Sequence, residues 1–203
     1  MGISVKAHAA VARATATAHA PGIVIRQHLY SMWADVAAEN VKRARRARRT
    51  PPKKDPLGAE MRAALSAICA SAFAIEALNR ELRPLVKKSL PSRPPAARRQ
   101  SAAQVLRQTL IPSLTLSQKE VSALVAAVKP VYDARNAAVH FEGVAGPPVP
   151  HPSGTRSSAE AATYSLERAE EALAAMRAVF RAVADHPSAD VQAFAKGHAH
   201  ALR

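Results

Sequence analysis

Apolar residues recur along this chain at helical spacing, and prolines interrupt them. From Ile23 the set Ile25, Leu29, Met32 and Val36 falls on one helical face, with Trp33 beside it. After Val41 the face gives way to KRARRARR, with six basic residues in eight positions. That run leaves no apolar side, so this part of the helix is expected to project into solvent or bind an anion. TPPKKDP then ends it, because three prolines cannot continue a helix.

The strongest core pattern runs from Gly58 to about Arg83. Met61, Leu65, Ile68, Ala72, Ile75 and Leu82 form its stripe. A basic linker with four prolines, RPLVKKSLPSRPP, follows. Ser101 and Gln104 read as a capping box, and Pro112 is expected to close that helix. Ser117 and Glu120 make a second box, with Leu116 and Val121 placed to staple the turn. The helix they start carries Val121, Leu124, Val125 and Val128, passes Pro130, and stops near Gly143. GVAGPPVPHPSGTR reads as a loop. Ser157 and Glu160 form a third start, leading into a long helix with Leu166, Leu173, Met176, Phe180 and Val183. Residues 187–203 read as a short helix or tail, and no internal repeat is present.

Composition agrees with an all-α fold. Alanine, leucine, arginine and glutamate favour helix, and there are only seven glycines and four phenylalanines. The expected division is an Ala-rich N-terminus and basic helical arm over 1–56, a helical domain over 57–186, and a C-terminal tail over 187–203. The longest charge-free apolar run, Ala63–Ile75, has thirteen residues, so no membrane span is expected. Arg13 interrupts the N-terminal apolar run, which argues against a secretory signal, although a transit peptide would share the Arg-rich, acid-poor look. The single cysteine, Cys69, allows no internal disulfide, and a cytoplasmic location is the simpler expectation.

Charge changes the picture. Residues 1–110 hold 20 Lys and Arg against 6 Asp and Glu, whereas residues 111–203 hold 9 of each. The whole excess lies in the first half, which points to a polyanionic partner, either nucleic acid or an acidic protein. Lys42, Arg43, Arg45, Arg46, Arg48, Arg49, Lys53 and Lys54 are the candidate nucleic-acid contacts. A solubilising face is the plainer reading of the same residues.

The stretch YDARNAAVHFEG carries the candidate chemistry. A bare Arg–His offset of five says little, since composition alone supplies about 0.8 such pairs per spacing, and Arg181 with His186 repeats it. Arg135 differs by its position. Extending the stripe Val121, Leu124, Val128, Val131 leads to Arg135 and then Val139. A guanidinium there needs a carboxylate such as Glu76 or Asp133, a ligand, or a partner chain. Tyr132, Asn136 and His140 share the neighbouring stripe, so Asn136 is placed to orient His140. Arg135 and His140 lie about 140° apart around the helix.

R-N-x-x-x-H late in an all-α chain resembles the signature of the HEPN superfamily. SAFAIEALNREL resembles that family's earlier helix, in which an apolar run leads into an Ile-Glu pair and an Asn, here Glu76 and Asn79. The resemblance covers roughly residues 59–185. It implies a HEPN-like helical bundle, with the basic N-terminal helix as an extension. It also implies a twofold homodimer whose Arg and His residues face a shared cleft. Several such domains are metal-independent endoribonucleases of toxin–antitoxin or antiviral systems; others bind without cutting. One subgroup places a modified Tyr two residues after the His, where this chain has Glu142.

The implied roles suit the residue types. His140 would transfer protons, Arg135 would stabilise phosphoryl charge, and Asn136 would assist. Glu76, Asn79, Tyr132 and Asp133 would support them. RNA is the implied substrate, and an acidic antitoxin or a neighbouring nucleotidyltransferase the implied partner. No metal or cofactor is expected: Cys69 has no cysteine partner, His198 with His200 reads as a tail feature, and there is no Gly-rich phosphate loop. The alternatives are a non-catalytic RNA- or protein-binding module and a DNA-binding protein that works through its basic helix.

Overall fold

In a computed structural model of the chain, residues 28–50, 55–89, 101–139 and 147–203 are described. They are mostly helical. In chain order the elements are α1 (Leu29–Arg49), α2 (Pro56–Leu85), a 3₁₀ turn (Lys87–Ser89), α3 (Ala102–Ser113) and α4 (Gln118–Val139). The strands β1 (Val149–Pro150) and β2 (Arg156–Ser157) follow, then α5 (Ala159–Thr163), α6 (Leu166–Asp185), α7 (Gln192–Gly197) and α8 (Ala199–Leu202).

The centre of the bundle is α2. Ala64, Ala67, Ile68, Ala72, Ile75, Leu78 and Leu82 are all buried, and α1, α3, α4 and α6 pack around them. The abundance of alanine suits this place, because small side chains let neighbouring helices approach closely. Asp55 caps the helix by accepting the Gly58 N–H at 2.9 Å. A Cβ on Gly58 would lie 2.2 Å from that carboxylate, so the cap requires glycine there.

α1 runs antiparallel to α2. Three contacts order the pair from end to end: Arg48 with Glu60, Trp33 with Phe73, and His28 with Glu81. The expectation of a projecting basic arm is therefore corrected. Tyr30, Ala37, Val41 and Ala44 are buried at helical spacing. Ala44 supplies the apolar side that the run of charges concealed, and α1 shares the core of the remaining helices.

Other boundaries differ from expectation for identifiable reasons. Pro84 and Pro112 lie within the last turns of α2 and α3, and α4 continues through Pro130. The α5 cap is Ser158, which accepts the Ala161 N–H, one residue later than the expected Ser157. The long helix expected from Ser157 is two helices, broken at Tyr164 and Ser165. The proline-rich loop includes a short antiparallel ladder pairing Val149 with Ser157 and Pro150 with Arg156. Gly154, at φ +85°, takes the left-handed turn there. The last segment is no loose tail: Val191, Ala195 and Leu202 are buried. The α3–α4 corner is tied to the end of α6 by Thr115 N–H to His186 O at 2.9 Å and Ser188 N–H to Ser113 O at 2.8 Å.

The apolar character of α2 also extends beyond the thirteen-residue run. Leu57–Leu85 is long and apolar enough to cross a membrane, with a mean hydropathy of 1.5 over its best window. Its placement at the centre of the bundle, with 56% of that window buried, accounts for the same composition.

Candidate functional site

Arg135 projects from α4 towards α2, and its Nη2 donates to Glu76 Oε1. Its guanidinium carbon lies 5.8 Å from the centre of the Phe73 ring and 5.9 Å from that of Tyr132. Two aromatic faces and one carboxylate thus hold the cation across the α2–α4 seam. The Arg135 side chain keeps 18% of its surface exposed and Glu76 keeps 28%. Arg135 Nε and Asn79 Oδ1, both buried, find no hydrogen-bond partner among the described residues. Such atoms are uncommon in a pure packing contact and leave capacity for a ligand or water.

The surroundings shift neighbouring groups. Burial raises the Tyr132 phenol above its ordinary range, and the Glu76 carboxylate adds to this against the pull of Arg135. Burial likewise raises the Cys69 thiol, while Arg135 acts in the opposite direction. Both groups therefore remain protonated at neutral pH.

The other expected site residues divide. Asn136 is exposed. Asp133 is corrected as a support for Arg135: it pairs with Lys129 Nζ at 2.6 Å, one turn earlier on the outer face of α4. Val139, expected to continue the buried stripe, is 69% exposed. His140 lies outside the described residues, as do Lys53 and Lys54.

The basic run also divides, because helical spacing sends alternate arginines to different neighbours. Arg48 donates from Nε and Nη2 to the two Glu60 oxygens at 2.6 Å each, and from Nη1 and Nη2 to Glu167 at 2.9 and 3.0 Å. Arg45 Nε reaches Glu170 Oε1 at 2.6 Å. Arg48 thus joins α1 to α2 and α6 and is turned away from solvent contacts, whereas Arg45, 51% exposed, pairs with α6 at the surface. Lys42, Arg43, Arg46 and Arg49 remain exposed.

Glu60 was missed by sequence reasoning. Its side chain is 2% exposed, and besides Arg48 it accepts the Leu166 N–H at 2.9 Å. Burial pushes its carboxyl upward, but the hydrogen bonds from Arg48 and Leu166 prevail and hold it below its ordinary value. Arg48 likewise lowers Glu167 to about 2. Buried His151 stands 3.9 Å from Glu60 through Nε2, while its Nδ1 accepts the Ser153 N–H at 3.1 Å. A second unforeseen chain links Glu81 to His28 at 3.0 Å and His28 Nε2 to His198 Nε2 at 2.8 Å. His198 thus holds the C-terminal helices against α1. No local signal marks these pairs, since the partners lie 53 to 170 residues apart. Among the described residues, no three His, Cys, Asp or Glu side chains cluster to hold a metal ion.

Comparison of the chain with protein-family models, curated proteins and solved structures returns no match.

Proposed function

We propose that this chain is a HEPN-type, metal-independent endoribonuclease, acting in the cytoplasm as a homodimer and serving as a toxin or antiviral effector. One observation carries the reading: Arg135, in the R-N-x-x-x-H segment, is held between Phe73 and Tyr132 by Glu76 from the I-E-x-x-N segment. Two stretches singled out by resemblance thus meet through side chains 59 residues apart. The guanidinium is anchored yet partly open, with Nε unpartnered among the described residues, as a residue facing phosphate requires. Exposed Val139, one turn further along α4, supplies an apolar edge for a second copy.

In the proposed reaction the RNA 2′-oxygen attacks the adjacent phosphorus, and the bond to the 5′-oxygen breaks. His140 transfers the protons that these steps require, and Arg135 stabilises charge on the equatorial oxygens. The products are a 2′,3′-cyclic phosphate and a 5′-hydroxyl. An acidic antitoxin or a neighbouring nucleotidyltransferase is the partner that fits a toxin.

A second reading is supported by the same ion pair, because a purely structural arginine also needs a carboxylate: a HEPN-like RNA-binding module without catalysis. Incubating purified protein with RNA separates the two. Cleavage that is lost in His140→Ala, retained in His186→Ala and unaffected by EDTA supports the enzyme. Absence of RNA cleavage, or equal activity in His140→Ala, overturns it.

A further inference from the structure

The basic groove between α1 and α2 and the partners of Arg135 lie on one face of α2. Asn40, Arg43 and Arg46 of α1, Thr50 just after it, and Arg62 and Ser66 of α2 line an open groove of about 450 Å³. Arg62, Ser66, Cys69, Phe73 and Glu76 follow one another at spacings of three or four residues, so they share a face of α2. The rise from Arg62 to Glu76 is about 21 Å. On α1, Trp33 and Arg43 are about 15 Å apart along the axis. Trp33 packs against Phe73 with ring centres 5.1 Å apart, and Phe73 in turn touches Arg135. Along that face of α2 the order is therefore three arginines, an aromatic pair and then the candidate catalytic cation.

We propose that this face is a track for single-stranded RNA: Arg43, Arg46 and Arg62 hold the phosphates, a base stacks at the Trp33–Phe73 end, and the strand is led to Arg135. The inference rests on the ribonuclease reading and adds where the substrate lies. Charge complementarity favours this occupant, since Arg43, Arg46 and Arg62 are all exposed along the groove, whereas Arg48 is held inward by two carboxylates. Arg46 has no carboxylate within 4.0 Å among the described residues. Arg43 reaches Glu39 at 3.5 Å and Arg62 reaches Asp55 at 2.9 Å, but these side chains are 50–66% exposed. Such pairs are weak in water, so a phosphodiester competes well for their cations. A single strand presents phosphates and unstacked bases together, which matches a basic groove ending in aromatics. A duplex keeps its base faces stacked.

The test uses the full chain and a fluorescent single-stranded oligonucleotide uniformly methylated at the 2′-oxygens. That probe lacks the nucleophile, so binding is read whether or not the chain cleaves. Replacing Arg43, Arg46 and Arg62 together by Gln should weaken binding at least about tenfold and flatten its salt dependence by roughly two slope units. Replacing Arg168, Arg177 and Arg181 of α6 by Gln removes the same charge from another face and should change affinity less than about threefold. Trp33 is the single tryptophan, so its emission should change on saturation with the same midpoint as the anisotropy. Equal loss in both triple variants overturns the track. So does binding that leaves Trp33 emission unchanged, or duplex DNA bound as tightly through the same three arginines. Groove-dependent binding without RNA cleavage preserves the track and removes the catalytic reading. Cleavage with groove-independent binding does the reverse.

Discussion

Arg48 and Arg135 are both arginines that cross a helix seam to a glutamate, yet their surroundings give them different capacities. Arg48 meets two carboxylates through four hydrogen bonds, and its main partner Glu60 is 2% exposed and also accepts a backbone N–H. Among the described residues Arg135 meets one carboxylate and keeps Nε unpartnered, and it stands beside aromatic rings at a partly open surface. The first arrangement satisfies nearly every polar atom and works as a structural joint. The second fixes the cation but leaves donor capacity, which is what ligand recognition needs. The number of partners and the burial of the partner carboxylate, 2% exposed for Glu60 and 28% for Glu76, separate the two roles; the residue type does not.

Removing Arg48 should have the greatest consequence for the fold. Arg48→Met should destabilise the fold by about 3–5 kcal/mol, because Glu60 is left as a buried charge with little compensation. Arg135→Met should cost less, about 1–2 kcal/mol, because the Glu76 it leaves behind is 28% exposed and can be hydrated. Paired thermal or urea melts measure both. Similar losses would mean that the two joints are equivalent.

Activity should depend on Arg135 and not on the surface pairing of α1 with α6. Arg135→Ala should cut RNA cleavage by about 10²–10³-fold. A conservative change of Arg45 should leave the rate per folded molecule within about threefold, because its Glu170 pair lies on the exposed side of the bundle. Single-turnover cleavage with excess protein checks this. An unchanged rate in Arg135→Ala removes the catalytic half of the comparison.

Acid should act on the Arg48 joint. Glu60 and Glu167 are held below their ordinary carboxylate values in the folded state. Their contribution is therefore complete above the unfolded value of about 4.3 and lost as pH falls towards about 2. The melting temperature should decline across that window. In Arg48→Met the sign should reverse for Glu60, since burial then dominates and raises it. Lowering pH from 7 to 5 should recover part of that variant's stability. A variant that melts lower at pH 5 than at pH 7 contradicts this account.

Smaller effects set the baseline. Ser101→Ala removes the α3 cap and should cost about 1 kcal/mol. Asp133→Asn breaks the exposed pair with Lys129 and should change stability by less than about 0.5 kcal/mol. If it instead reduced cleavage like Arg135→Ala, Asp133 would regain the supporting role that the geometry removes.

Local features were legible in the sequence. The Ser101–Gln104 and Ser117–Glu120 caps form as the spacing implies, because donor and acceptor are three residues apart in a helical turn. The need for a carboxylate at Arg135 was also legible, since a cation interrupts an apolar stripe. Which carboxylate was not: Asp133 is nearer in sequence, but its side chain leaves the other side of α4. The break before Leu166 was hidden for a related reason. The acceptor at the start of α6 is Glu60, 106 residues earlier.

By itself, then, the sequence determined the helical class, the local caps and the presence of a cation needing company on α4. Periodicity and capping act within a few turns, so they can be read from neighbouring residues. Tertiary structure decided how the basic run is divided, which helix begins at a carboxylate from elsewhere, and which side chains share the seam of α1 and α2. Those outcomes depend on the rotation of each helix about its axis relative to its neighbours. That rotation is set by burying Ala37, Val41 and Ala44 against the alanine-rich α2, and the same packing sends Arg48 inward and Arg46 out to solvent.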